Sequence, residues 1–188
     1  FVCDMNPHFR TVANTCFKQA TVVADRYHVV RQVFWAVEKV RKSEQSKLPD
    51  RHRKYFKKSR YLLIKPMEKL TGEEMDRLAL MFEIAPRLAD AYRIKNEFLN
   101  VFHSKSSVEG RQKLIDWLLS VEVMQMQEFD DCTKAYRNWF QEILNSMDVS
   151  WSNGFIEGCN NKTKVLKRVC FGMRNFNNFR KRILFCNT

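Results

Sequence analysis

The chain has 188 residues, 45% hydrophobic and 13% aromatic, enough apolar material for a packed domain and too much for a disordered segment. Lys and Arg number 33 against 21 Asp and Glu, a formal charge of +12, which favours a polyanionic partner, nucleic acid first, over a neutral one. Five Gly and four Pro punctuate stretches rich in Leu, Glu, Lys, Arg, Met and Phe. Long helices are therefore expected and a sandwich or barrel is disfavoured. No apolar run nears the ~18 to 20 residues that a membrane-spanning helix needs.

The chain opens on an apolar run, residues 1–3, that ends at Asp4 without an initiator Met, and it is expected to begin inside a domain. Pro7 fits the first turn of a helix whose apolar face is Phe9, Val12, Ala13, Cys16 and Phe17. Residues 20–24, compact and β-branched, read as a short buried strand with Asp25 at its C-terminal edge. Strand, helix, strand, helix in that order implies parallel strands with ligands bound beyond their carboxyl ends, where both Asp4 and Asp25 stand. Taken singly, each Asp is a candidate N-cap; taken together, they are placed to share a metal-binding crevice. His28, three residues past Asp25, falls on the first helical turn and can reach back toward that crevice.

From Val29 to Val40 the apolar residues keep helical spacing, and about five helices without a further strand are expected between residues 29 and 147. Residues 51–60 (RHRKYFKKSR) are strongly basic, either a second contact surface or a solvated face. Thr71 and Glu74 have capping-box spacing, Pro86 can open a helix, and Ser106 or Ser107 can cap one running to Val123. The six cysteines, Cys3, Cys16, Cys132, Cys159, Cys170 and Cys186, form no Cys-x-x-Cys pair and read as buried free thiols in a reducing compartment. His8, His52 and His103 lack partners at metal-ligand spacing, and no phosphate-binding loop, dinucleotide fingerprint or serine-hydrolase elbow occurs.

Residues 153–168, NGFIEGCNNKTKVLKR, separate by chemistry when wound at 100° per residue. Glu157, Asn161, Lys164 and Arg168 share one stripe; Phe155, Cys159, Thr163, Leu166 and Cys170 form an opposite arc able to bury against a core. The polar stripe is either a solvated face with weak local ion pairs or a carboxylate that holds a divalent cation above cations that track a phosphate backbone. A Phe171-Gly172 break precedes a last helix marked by Phe176, Phe179, Ile183 and Leu184.

The strings DMNPHFRTVANTCFKQATVVADRYHVVRQV and SNGFIEGCNNKTKVLKRVCFGMRNFNNFRKRIL resemble the closing half of the ISL-three group of insertion-sequence transposases, over residues 1 to about 42 and 150–185. The resemblance implies a mainly α chain with a small α/β remnant: a truncated ribonuclease-H-like core in residues 1–30 and 150–188, carrying an all-helical insertion in residues 31–149. It implies DNA transposition by metal-dependent phosphodiester cleavage and strand transfer, with two Mg2+ (or Mn2+) ions in the complete enzyme. Asp4 matches the second of three catalytic carboxylates and Glu157 the third, both as metal ligands. Asp25 and His28 match a supporting Asp-x-x-His signature, and Asn161 stands in the same string as Glu157. Lys162, Lys164, Lys167, Arg168, Arg174, Arg180, Lys181 and Arg182 are expected to meet DNA phosphates at the transposon end. The first carboxylate lies upstream in this family, so the chain alone is expected to be inactive. A homo-oligomer acting on transposon-end and target DNA in the bacterial cytoplasm, at the nucleoid and not at a membrane, completes the expectation. The alternative is a non-catalytic basic helical module for DNA-end binding or transposase dimerisation.

Overall fold

Residues 1–104 and 106–186 are described by a computed structural model. In chain order the elements are β1 (Val2–Cys3), α1 (Pro7–Cys16), β2 (Val23–Ala24), α2 (Arg26–Lys47), α3 (Asp50–Phe56), α4 (Arg60–Ile64), α5 (Gly72–Ile84), α6 (Pro86–Val101), α7 (Ser107–Val123), α8 (Asp130–Asn138), α9 (Phe140–Asn145), α10 (Gly154–Val169) and α11 (Phe176–Cys186). Single 3-10 turns occupy Met67–Lys69 and Gln127–Phe129. The protein is mostly helical with two short parallel strands, and it divides into two compact units at Ser150 and Trp151.

In the first unit, β1 and β2 pair in parallel with Val2 opposite Val23 and Cys3 opposite Ala24. The strand expected over residues 20–24 is shorter than its β-branched run, because only Val23–Ala24 meets a partner strand. Pro7 supplies a fixed φ at the start of α1, whose first turn is capped by Asn6 accepting the His8 amide at 3.0 Å. Of the face expected to bury, only Ala13 does so; Phe9, Val12, Cys16 and Phe17 remain exposed because no element of this unit covers that stripe.

The core forms around α2, whose buried positions Val29, Val33, Ala36, Val37 and Val40 keep the spacing of one helical face. That face packs against α6, which contributes Leu88, Ala91, Ile94 and Phe98. Phe98 sits 4.8 Å from the ring of Trp117 and 5.0 Å from that of Tyr136. Both polar tips are satisfied: the Trp117 indole donates to the Ile94 carbonyl at 2.8 Å and the Tyr136 hydroxyl to the Val29 carbonyl at 2.6 Å. Rings of this size fully removed from water contribute on the order of 2 to 3 kcal/mol each.

Between α2 and α9 inclusive there are eight α-helices among the described residues, not about five. Pro49 forces the preceding residue out of helical geometry and ends α2. Lys58 and Gln125, at φ values of 55° and 49°, break the chain where composition shows no Gly or Pro. The cysteines also divide: Cys3 and Cys132 are buried, Cys159, Cys170 and Cys186 are half-buried, and Cys16 is exposed at the end of the uncovered α1 stripe. All six are free thiols.

The second unit is a pair of helices, α10 and α11, turned by Phe171 and Gly172 at φ 48° and 87°. Left-handed backbone of this kind is what glycine supplies without strain after a helix end. Asn175 caps α11 by accepting the Asn178 amide at 3.1 Å. Cys159, Thr163 and Leu166 on α10 and Cys170 at its C-cap are half-buried, as are Phe179, Ile183 and Cys186 on α11. Phe155, expected on the same arc, is 79% exposed. The Lys162 ammonium bonds the Cys186 carbonyl, which sets the end of α11 level with the middle of α10, so Phe155 lies two turns beyond its reach.

Candidate active site and nucleic-acid interface

Parallel register puts Asp4 and Asp25 side by side, one residue past the carboxyl ends of β1 and β2. The Asp25 amide donates to the Cys3 carbonyl at 2.9 Å, extending the ladder by one step. Its carboxylate accepts the amides of Tyr27 and His28 at 2.9 and 3.4 Å, making Asp25 the N-cap of α2. It is 3% exposed, so it serves the helix. Asp4 is not a cap, since Asn6 fills that place on α1. Its Oδ1 instead lies 3.1 Å from Nε2 of His28, with 41% of the side chain exposed.

The first turn of α2 thus holds Asp4 through His28, and an imidazole that bonds a carboxylate on one side restricts its rotation. The Cys3 thiol beside it is pushed up by burial and, secondarily, by the Asp4 charge, which makes it an inert neighbour. Arg26, on the same turn, was not singled out by sequence reasoning. Its guanidinium donates to the Ser146 carbonyl from Nε at 2.8 Å and again from Nη2, and to the Val149 carbonyl at 3.0 Å. One helical turn therefore holds both the Asp4 carboxylate and the stretch after α9. The only sequence signal was a cation inside the Asp-x-x-His spacing.

In the second unit Glu157 lies in the first turn of α10, where the helix dipole favours an acid, and Lys167 and Arg168 lie in the last turn, where it favours bases. Glu157, Asn161, Lys164 and Arg168 are all exposed, as are Lys167, Arg174, Arg180, Lys181 and Arg182. Lys162 differs from the other expected phosphate contacts because the α11 carboxyl end engages it. The sequence-expected residues therefore form two sets, Asp4, Asp25 and His28 in the first unit, Glu157 and Asn161 in the second. Among the described residues no group of three or more His, Cys, Asp or Glu side chains gathers to hold a metal. The two candidate ligands are both accessible carboxylates, the hard oxygen donors that suit Mg2+ or Mn2+ and do not suit soft metals.

The transposase family model of the DDE type, ISL3 group, matches residues 1–183. Residues of this chain are 32% identical over 128 positions to the transposase for insertion sequence element IS1557 of Mycobacterium tuberculosis, covering 68% of this chain and 29% of that protein. They are 25% identical over 178 positions to the transposase for insertion sequence element IS1001 of Bordetella parapertussis, covering 92% of this chain and 43% of that protein. A protein of Lactococcus lactis named as an ATP-dependent protease is 29% identical over 111 positions, 59% of this chain and 34% of that protein. No solved structure matches the chain. The chain spans less than half the length of the curated transposases it matches. With the family model covering nearly all of its residues, the chain belongs to the ISL3 group of DDE transposases.

Proposed function

We propose that this chain is the C-terminal part of an enzyme that cleaves and rejoins DNA phosphodiester bonds during transposition, with Asp4 and Glu157 as two of three carboxylates around a pair of divalent cations. In this reading residues 1–30 and 150–188 belong to a ribonuclease-H-like core and residues 31–149 are an insertion within it. The observation that carries the reading is Asp4 itself. It stands at the carboxyl edge of parallel strands, half-buried, and its Oδ1 lies 3.1 Å from Nε2 of His28. The neighbouring Asp25, by contrast, caps α2.

Asp4 and Glu157, together with a third carboxylate, would hold Mg2+, which would supply Lewis-acid stabilisation of the phosphate oxygens as the bond to phosphorus is exchanged. The chain's own residues do the positioning. His28 donates to Asp4 and fixes the carboxylate plane; Asp25 fixes His28 by capping the turn that bears it. Asn161, one turn after Glu157, offers an amide to a DNA phosphate. Lys164, Lys167, Arg168, Arg174, Arg180, Lys181 and Arg182 neutralise the DNA backbone and hold the duplex end in register.

The test is Mg2+-dependent cleavage of a transposon-end duplex by the full-length protein and by its Asp4→Asn and Glu157→Gln variants. Each variant is expected to lose cleavage by at least a thousandfold while its DNA affinity and thermal midpoint stay unchanged. Full cleavage by either variant sinks the assignment of that carboxylate, and no cleavage by the unsubstituted full-length protein leaves a basic helical module that binds DNA without cutting it. No helix among the described residues is long and apolar enough to cross a membrane.

A further inference from the structure

The basic segment at α3 and α4 plays no part in the mechanism above. Arg51, Lys54, Lys57, Lys58 and Arg60 are all exposed within ten consecutive residues. Like charges this close raise the energy of the folded surface, so what holds them there matters.

The segment is anchored firmly from beneath. Phe56, Leu62 and Leu63 are fully buried, and buried Ser59 donates to the Phe56 carbonyl at 2.7 Å. The carbonyls at the end of α3 are taken by neighbouring helices. Arg41 of α2 donates to Phe56 at 3.3 Å, and Arg77 of α5 donates to Tyr55 at 3.1 Å and to Lys57 at 2.7 Å. Those carbonyls are the negative end of a helix and the natural local partners for Lys57 and Lys58.

Nearby carboxylates are committed as well. Glu38 is held by Arg41 through two bonds of 2.7 Å, Glu74 by Lys65 at 2.6 Å, and Asp50 by Arg53 at 3.2 Å. The Arg41 bonds keep the Glu38 carboxyl below its ordinary range, so it stays a full partner to Arg41. One acid, Glu83, lines the shallow groove that Arg51, His52, Lys54 and Tyr55 form with the end of α5. Glu83 apart, the anions and backbone acceptors named here are engaged by other residues, and five cations face outward on this corner.

From this we infer that the α3–α4 corner is a second DNA-backbone contact surface. The inference rests on the DNA-processing reading above and extends it to residues 51–60. Duplex DNA fits better than an acidic protein. Protein interfaces deplete lysine and use buried aromatic anchors, whereas three of these five cations are lysines. A phosphate backbone needs only spaced point charges.

The experiment measures binding of the full-length protein to a fluorescein-labelled transposon-end duplex across salt concentrations. It compares the Lys54→Gln/Lys57→Gln/Lys58→Gln triple variant with the matching triple arginine variant. With about 0.9 of log-log slope per phosphate contact, the glutamine variant is expected to lose a slope of roughly 2 to 3 and the arginine variant none. An unchanged slope in a folded glutamine variant overturns the inference, as does equal loss in the arginine variant.

A second measurement does not depend on the variants folding. Acetylation of lysines in the wild-type protein, read by mass spectrometry, should be suppressed at Lys57 and Lys58 by the duplex. Equal acetylation with and without DNA also overturns the inference. Protection by polyglutamate but not by DNA assigns the corner to an acidic protein and refutes the DNA claim. Cleavage by the wild-type protein, assayed in parallel, separates the two proposals: an unaltered slope with Mg2+-dependent cutting intact refutes only the corner, and a lost slope without cutting refutes only the catalytic reading.

Discussion

Lys95 is fully buried on the inner face of α6. Its ammonium donates to the Lys65 carbonyl at 3.2 Å and lies 3.9 Å from the centre of the Tyr92 ring. Burial lowers it from an ordinary 10.5 to about 8, with Glu68 opposing the fall. A displacement of that size corresponds to ~3 kcal/mol of disfavoured charge. Because the folded value lies below the unfolded one, the penalty is full below pH ~8 and is relieved as pH climbs toward ~10.5.

Replacing Lys95 with Met keeps the stem's packing, removes the charge, and leaves the Lys65 carbonyl without its donor at a cost of ~1 kcal/mol. Lys95→Met is therefore expected to be about 2 kcal/mol more stable than wild type at pH 7. That advantage should shrink by ~2 to 3 kcal/mol by pH 10 and reach or cross zero. Urea unfolding of both proteins at pH 7, 8, 9 and 10, read as the difference between them, isolates Lys95 from other titrating groups. A difference that stays flat across this range, or a variant less stable at pH 7, refutes the reasoning.

Substitutions at two further positions probe the turn that organises the site. Arg26→Met strips the Ser146 and Val149 carbonyls of a charged donor; a loss of ~1.5 to 3 kcal/mol is expected in urea unfolding, with faster proteolysis between residues 146 and 153 under native conditions, and unchanged proteolysis argues against the clamp. Asp25→Ala removes the α2 cap and should cost ~1 to 2 kcal/mol, whereas Asp25→Asn should cost a few tenths. Equal losses in both would mean that Asp25 acts through its charge and not as a cap.

Where a local rule decides local structure, the sequence was sufficient. Thr71 and Glu74 do form a reciprocal capping box, with the Glu74 amide on Thr71 Oγ1 at 3.3 Å and the Thr71 amide on Glu74 Oε2 at 2.9 Å. Pro86 does open α6, and Ser106 caps α7, which runs to Val123. The order of strand, helix, strand, helix, and with it the placement of Asp4 and Asp25 at neighbouring carboxyl ends, followed from β-branching and Pro7 alone.

What failed to be legible depends on tertiary partners. Left-handed turns at Lys58 and Gln125 carry no composition signal, so eight helices read as five. An apolar stripe declares that it can be buried but not by what; the stripe of α1 and Phe155 on α10 have the right spacing and stay exposed. Asp4 and Asp25 look alike as caps in sequence, and only Asn6 taking the amide of His8 separates their roles. Arg26 was invisible because its acceptors are backbone carbonyls some 120 residues away, which have no side-chain signature.

The proposed mechanism stands on Asp4 and Glu157 reaching the same divalent cation. Fe2+ substituted for Mg2+ in the full-length protein bound to transposon-end DNA, with hydrogen peroxide as oxidant and ascorbate to recycle the iron, reduces the peroxide to hydroxide and a hydroxyl radical that cuts the polypeptide close to the ion. Shared ligation predicts cutting both near residue 4 and near residue 157, suppressed at each by excess Mg2+ and lost at each in Asp4→Asn. Cutting at one position only, or cutting near residue 157 that persists in Asp4→Asn, contradicts a common ion.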